Sequence, residues 1–318
     1  MEVDRQTLKT INEKFYNAEF DSYLLNNHEE LFNLCYLIDS YTDWNNYEGL
    51  SPFTSYVSRK DTLSLADSFL TSLSLDYKRK IWYDFFRLRL IGKKNYTETE
   101  GVFHRNYIFD TYSILYPKNR NVADFLVLIH EYIHCISANY FKTYRSTSSY
   151  KVYCELLSIL GWLKALSFLL KRGFNEEEVK LYKDYIRQAY QYNINGFMFA
   201  EPILDLHIRG ESLTEESLAK LIKNNPNYRL LGEKGVMNNL KMLETDDVKT
   251  CLSYIHPLGM AHASSLYKNG ITDQDFVELI EAINRVEIDE FEELFPQRSV
   301  EELARDTADV FNFSKKVI

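Results

Sequence analysis

Five consecutive residues carry the strongest chemical signal in the chain: His130-Glu131-Tyr132-Ile133-His134, an H-E-x-x-H motif. Two histidines four apart on a helix advance slightly more than one turn, so both imidazoles project from one face and can reach one ion. The intervening Glu131 sits beside them as a base for a water molecule. A catalytic zinc takes three protein ligands and keeps a fourth position open. Glu155, 21 residues beyond His134, is the best third ligand. It lies in the apolar run YKVYCELLSILGWL, where an unpaired carboxylate would be expensive and a dication would resolve the cost. His207 and His256 are weaker alternatives. Cys135 and Cys154 touch these residues in sequence, but a helix turns adjacent side chains about 100° apart, so both read as small core residues.

The chemistry this set predicts is metal-assisted hydrolysis with one Zn2+ ion. The metal polarises a carbonyl and acidifies water. Glu131 takes the water proton and hands it to the leaving amine. A developing oxyanion needs a further donor, and Tyr254 and His256, in SYIHPLGMAHASSLY, are the candidates. The donor set alone does not select zinc over other first-row divalent ions. His104, in Phe103-His104-Arg105, could touch a substrate but reads more simply as structural. His28, His207 and His262 carry no chemistry legible from the sequence.

A helix must hold the motif. Asn121 is a suitable N-cap, with Asp124 three residues later, and Phe125, Leu126, Ile129, Ile133 and Ile136 supply a buried side from Val122 to about Asn139. Before it, GVFHRNYIFDTYSILY (101–116) is rich in aromatic and β-branched residues, is closed by Pro117, and reads as one or two short strands. After it, a helix starting near Ser148 or Ser149 passes through Glu155 and ends at Lys171-Arg172-Gly173. Asn175, Thr214, Thr272 and Ser299 each open a further helix. Thr245 is expected to start another, interrupted by Pro257 and ending near Gly270. Upstream, Thr62 is expected to cap a helix through Leu73, with helical spacing continuing from Tyr77 to Leu90.

Composition agrees with a mostly helical globular protein. Of 318 residues only 11 are Gly and 6 Pro, while 45% are hydrophobic, so chain breakers are few and a large core is available. The net charge of −9 argues against a nucleic-acid partner, because phosphate binding needs a basic face. No apolar run is expected to span a bilayer, and the polar N-terminus MEVDRQTLKTINEKF lacks the pattern of a signal peptide, so no membrane partner and a cytoplasmic location are expected. Cys35, Cys135, Cys154 and Cys251 lack paired spacing and read as reduced thiols.

Three segments, in order, resemble the oligoendopeptidase F and thimet oligopeptidase family. GVFHRNYIFDTYSILYPKNRNVADFLVLIHEYIH is similar to its strand-loop-helix through the active site, YRSTSSYKVYCELLSIL to its third-ligand helix, and SYIHPLGMAHASSLYKNGITDQDFVELIEA to its late helix. His256 stands where the family has the second Tyr of a pair, and the spacing to Glu155 is a few residues tighter. The resemblance implies a mainly α, zincin-like (gluzincin) peptidase with a small β element before the H-E-x-x-H helix and two lobes around a channel. It implies one catalytic unit over 1–318, with a helical N-terminal lobe at 1–100 and the peptidase core at 101–318. It also implies an edge strand at Tyr112–Tyr116 that pairs with substrate backbone, and places Tyr254 and His256 near the substrate carbonyl. The implied substrate is a peptide or unfolded polypeptide. Two other readings are a dedicated protein-cleaving protease and a catalytically silent binding protein that keeps the fold; the intact Glu131 speaks against the second.

Overall fold

The computed structural model describes residues 4–42, 57–73, 88–93, 102–106, 111–117, 121–139, 148–282 and 298–311. In chain order these form α1 (Arg5–Asn17), α2 (Ser22–Tyr41), α3 (Arg59–Ser72), β1 (Leu88–Lys93), β2 (Val102–Asn106), β3 (Thr111–Pro117), α4 (Val122–Asn139), α5 (Ser148–Lys171), α6 (Glu176–Ile208), α7 (Glu215–Asn224), α8 (Pro226–Thr245), α9 (Val248–Cys251), α10 (Ile255–Lys268), α11 (Asp273–Ala282) and α12 (Val300–Phe311).

Most helix starts follow from side chains that accept otherwise orphaned backbone N–H groups. Asn121 Oδ1 accepts the Ala123 N–H at 3.0 Å and starts α4. Asn175 Oδ1 accepts the Glu177 N–H at 2.8 Å, ahead of three acidic residues that complement the N-terminal end of α6. Thr214 and Ser217 form a reciprocal capping box on α7. Thr272 opens α11 and Ser299 opens α12. At the other end of α5, Gly173 takes φ of +83°, and the Phe174 N–H returns to Leu169 O at 3.1 Å. A left-handed residue with these return bonds is how a helix ends on glycine.

Several boundaries differ from the sequence expectation. Ser58 rather than Thr62 caps α3, accepting the Asp61 N–H. Thr245 ends α8 instead of starting a helix; Asp247 caps the short α9, and Pro257 falls in the first turn of α10, where its missing N–H costs nothing. Pro257 therefore kinks no helix. Helix α6, opened by Asn175, runs on to Ile208 through Gly196 and Pro202. An interior proline weakens an isolated helix, but residues 197–204 are buried, and packing holds the element together. Helix α8 was not anticipated. It contains a non-helical Gly232 at φ 62° that joins two helical pieces.

The sheet has the order β1-β3-β2, with β1 parallel and β2 antiparallel to β3. Leu88 pairs with Tyr112, and Phe103 with Ile114. The stretch Leu88–Leu90, read as helical from its spacing, is thus strand; residues 74–87 lie outside the described residues. The expectation of an edge strand at Tyr112–Tyr116 is overturned. Strand β3 is central, and both of its backbone rows are used by neighbours, leaving none for an added strand. Among the described residues the free edges belong to β1 and β2. The β1–β3 ladder also crosses residue 100, where the two lobes were expected to divide.

The core around the motif is built by α4, α5 and α10. Every residue from Asn121 to Ile133 is buried, so this part of α4 has no solvated face. The segment Tyr150–Lys171 of α5 is long and apolar enough to cross a membrane, which the sequence reading did not anticipate; 83% of its most apolar stretch is buried in the protein. Helix α10 passes so close to α5 that a Cβ at Gly259 would lie 3.1 Å from Glu155 Cβ and from Leu156 N. The N-terminal helices are tied into the rest. Lys14 Nζ donates to the carbonyls of Leu243, Glu244 and Asp246 at the end of α8, and Asn12 exchanges two hydrogen bonds with the backbone of Leu213. Cys35, Cys154 and Cys251 are free and buried.

Candidate metal centre

The four-residue spacing on α4 brings the two imidazoles together as expected. His130 Nε2 and His134 Nε2 lie 3.0 Å apart. Glu155, on the facing turn of α5, presents Oε1 3.5 Å from His130 Nε2 and Oε2 3.2 Å from His134 Nε2. Donors around a tetrahedral zinc at about 2.0–2.1 Å are separated by about 3.3 Å. The imidazole pair at 3.0 Å is close to that edge, the 3.5 and 3.2 Å contacts fall on the two different carboxylate oxygens, and one donor atom from each residue lies within 4.8 Å of the others, so the group could hold one divalent ion.

Burial makes this arrangement costly without a positive partner. Glu155 is 5% exposed and His130 8%. Burial works to raise the Glu155 carboxyl, but the facing imidazoles, His256 foremost, and hydrogen bonds from His134 and His256 hold it well below the usual range. Burial pushes His130 down to about 3, against the pull of Glu155. It is therefore a neutral imidazole, the form a metal requires. Burial also disfavours charge on His134 and His256, yet in both the Glu155 carboxylate outweighs it and the pKa rises. Glu155 thus draws positive charge from its surroundings, and a dication would supply it directly.

Glu131 is buried beside this group, and its charge helps to raise both His134 and Tyr190. His256, the second residue of α10, places Nδ1 3.1 Å from Glu155 Oε1 and remains 39% exposed, the most open side chain of the group. Tyr254 is placed differently. Its ring is buried and stacks on Tyr23 with centroids 5.3 Å apart, and its hydroxyl donates to Asp21 Oδ1 at 3.1 Å. The structure thus gathers His130, His134, Glu155, Glu131 and His256, while the Tyr254 hydroxyl is engaged at the start of α2. His207, the other weaker ligand alternative, packs against Phe15 and Tyr16. The side chains of His104 and Cys135 lie outside the described residues.

Two neighbours of the cluster were not found from the sequence. Tyr190, on α6, donates its hydroxyl to Glu155 Oε1 at 3.0 Å. Burial, reinforced by Glu155 and Glu131, raises its pKa well above the ordinary value, so it stays a donor. Trp162, seven residues after Glu155, lies with its ring 4.3 Å from that of His130, and its indole N–H donates to Leu126 O. It covers His130, whose Nδ1 is buried without a hydrogen-bond partner among the described residues. Neither residue belongs to a motif. Their only sequence signal is an aromatic residue within an apolar helical pattern, which most core residues share.

No protein-family profile matches the chain, and no curated protein matches it. Solved structures do. A provisionally assigned oligoendopeptidase F from Bacillus anthracis str. Ames aligns with a TM-score of 0.51 at 13% identity, over 95% of this chain and 57% of that one. A provisionally assigned peptidase from Chlamydophila abortus aligns at 0.48 and 14%, over 97% and 56%. The chain therefore spans little more than half the length of the structures it matches. At this identity the likeness to the first is one of fold: a mainly helical, oligoendopeptidase F-like architecture, as the sequence resemblance implied.

Proposed function

We propose that the chain is a zinc-dependent peptidase that hydrolyses peptide bonds in oligopeptides or unfolded polypeptides. The observation that carries this reading is the convergence of His130, His134 and Glu155, with one donor atom from each within 4.8 Å of the others, and Glu131 on the same helix as the histidines. The oligoendopeptidase F-like fold supports it. His130, His134 and Glu155 hold the ion, which when bound polarises a carbonyl and acidifies water. Glu131 accepts a proton from the attacking water as the new C–O bond forms. It returns that proton to the amine nitrogen as the C–N bond breaks, leaving a carboxylate and an amine. His256, open to solvent and facing the cluster, donates to the carbonyl oxygen as negative charge builds there. Tyr254 can do the same only after its hydroxyl leaves Asp21. The buried wall of Trp162 and Tyr190 keeps water from the back of the ligand set.

The test is cleavage of a random peptide pool by chelator-treated protein before and after addition of one equivalent of zinc. Zinc-restored cleavage at internal peptide bonds is expected. A protein that binds zinc stoichiometrically but cuts no peptide would refute the peptidase reading.

A further inference from the structure

The ligand helices α4 and α5 do not by themselves fix which way the Glu155 carboxylate faces. A glutamate has three side-chain torsions, the last of them broad. At a metal site, groups behind the ligands normally fix their orientation, and losing one costs 10–100-fold in metal affinity. Among the described residues, the hydroxyl of Tyr190, 3.0 Å from Oε1, is the non-imidazole donor that meets the Glu155 carboxylate. The other groups that meet it are imidazoles: His130, His134 and His256.

Tyr190 is itself well fixed. It is 4% exposed and sits on α6, which packs against both α5 and α10. The edge of its ring meets Trp162 at 6.1 Å and 80°, and on another side it meets the His256 ring at 6.1 Å. The hydroxyl therefore reaches Oε1 from a rigid wall, from a helix that contributes none of the three ligands. Oε1 is the crowded oxygen, met by Tyr190, His256 and His130, whereas His134 meets Oε2.

From this we infer that Tyr190 is the positioning residue of the metal centre: its hydroxyl holds Glu155 Oε1 so that the carboxylate faces the two histidines. The inference rests on the proposed role of His130, His134 and Glu155 as ligands. Tyr190→Phe keeps the ring and its packing and removes only the donor. Zinc affinity, measured by competition with a chromophoric chelator, is expected to fall 10–100-fold, while the thermal midpoint of the metal-free protein stays close to wild type.

A double-mutant cycle with Glu155→Ala, which removes the acceptor, separates an effect through Glu155 from a general loosening. On the Glu155→Ala background, Tyr190→Phe is expected to weaken the residual zinc binding no further. Unchanged affinity in Tyr190→Phe would overturn the inference, and so would an equal loss on both backgrounds. A drop in the metal-free midpoint large enough to account for the lost affinity would overturn it too, since the hydroxyl would then serve the fold. Wild-type protein that takes up no zinc would instead sink the underlying metal reading.

Discussion

Gly259→Ala tests how tightly α10 and the third-ligand helix are registered. The new Cβ would lie 3.1 Å from Glu155 Cβ, 3.1 Å from Leu156 N and 3.2 Å from Glu155 Cγ. Carbon pairs prefer about 3.5–4.0 Å, so the two helices must separate by roughly 0.4 Å, or Glu155 must turn. Overpacking of a well-filled core costs about 1–3 kcal/mol. Replacing a mid-helix glycine by alanine returns about 1 kcal/mol of helix propensity. The contact is with backbone and with the root of a side chain, neither of which can swing away, so the packing cost should win. A net loss of up to about 2 kcal/mol is expected. Urea unfolding of the metal-free variant measures it without the stabilisation that bound metal would add. Because the displaced residue is the proposed third ligand, zinc affinity should fall by about tenfold as well. A variant as stable as wild type, with unchanged zinc affinity, would show that α10 does not constrain Glu155, and the reasoning from close approach would fail.

Other expectations concern the base, the helix start and acid stability. Glu131→Gln should retain zinc and lose turnover by about 10²–10⁴-fold; steady-state cleavage of a quenched peptide checks this, and unchanged turnover would remove Glu131 from the mechanism. Asn121→Ala removes the cap of the motif helix and should cost about 1 kcal/mol in urea melts, while a loss near zero would mean the first turn of α4 is held by packing alone. Burial lowers the pKa of His262 from 6.5 to about 4. Between those values the unfolded chain binds a proton that the native protein refuses, so stability is full above pH 6.5 and declines as pH falls toward 4. The decline amounts to at most about 3 kcal/mol. His262→Gln should flatten that limb relative to wild type, and parallel pH profiles for the two proteins would contradict the assignment.

What the sequence disclosed was mainly local. The H-E-x-x-H spacing works because four residues return to one helix face, and the caps at Asn121, Asn175, Thr214 and Ser299 are made within three residues of the helix they start. Glu155 was legible for a different reason: a carboxylate inside an apolar run needs a positive partner. The failures came where distant contacts decide. Leu88–Leu90 fits a helical spacing, but pairing with Tyr112–Ile114 makes it a strand. That same pairing turned β3 from an expected edge into the centre of the sheet. Tyr190 reaches Glu155 from 35 residues away, and Tyr254 reaches Asp21 across most of the chain. No spacing rule announces such contacts, because they depend on how whole helices cross.

The account stands or falls on the ligand set, and zinc K-edge X-ray absorption of the zinc-loaded protein reads it directly. His130, His134 and Glu155 predict a shell of nitrogen and oxygen at about 2.0–2.2 Å with imidazole outer-shell scattering and no sulfur. A sulfur contribution at about 2.3 Å would move the metal to a cysteine and contradict the assignment, as would a spectrum without imidazole.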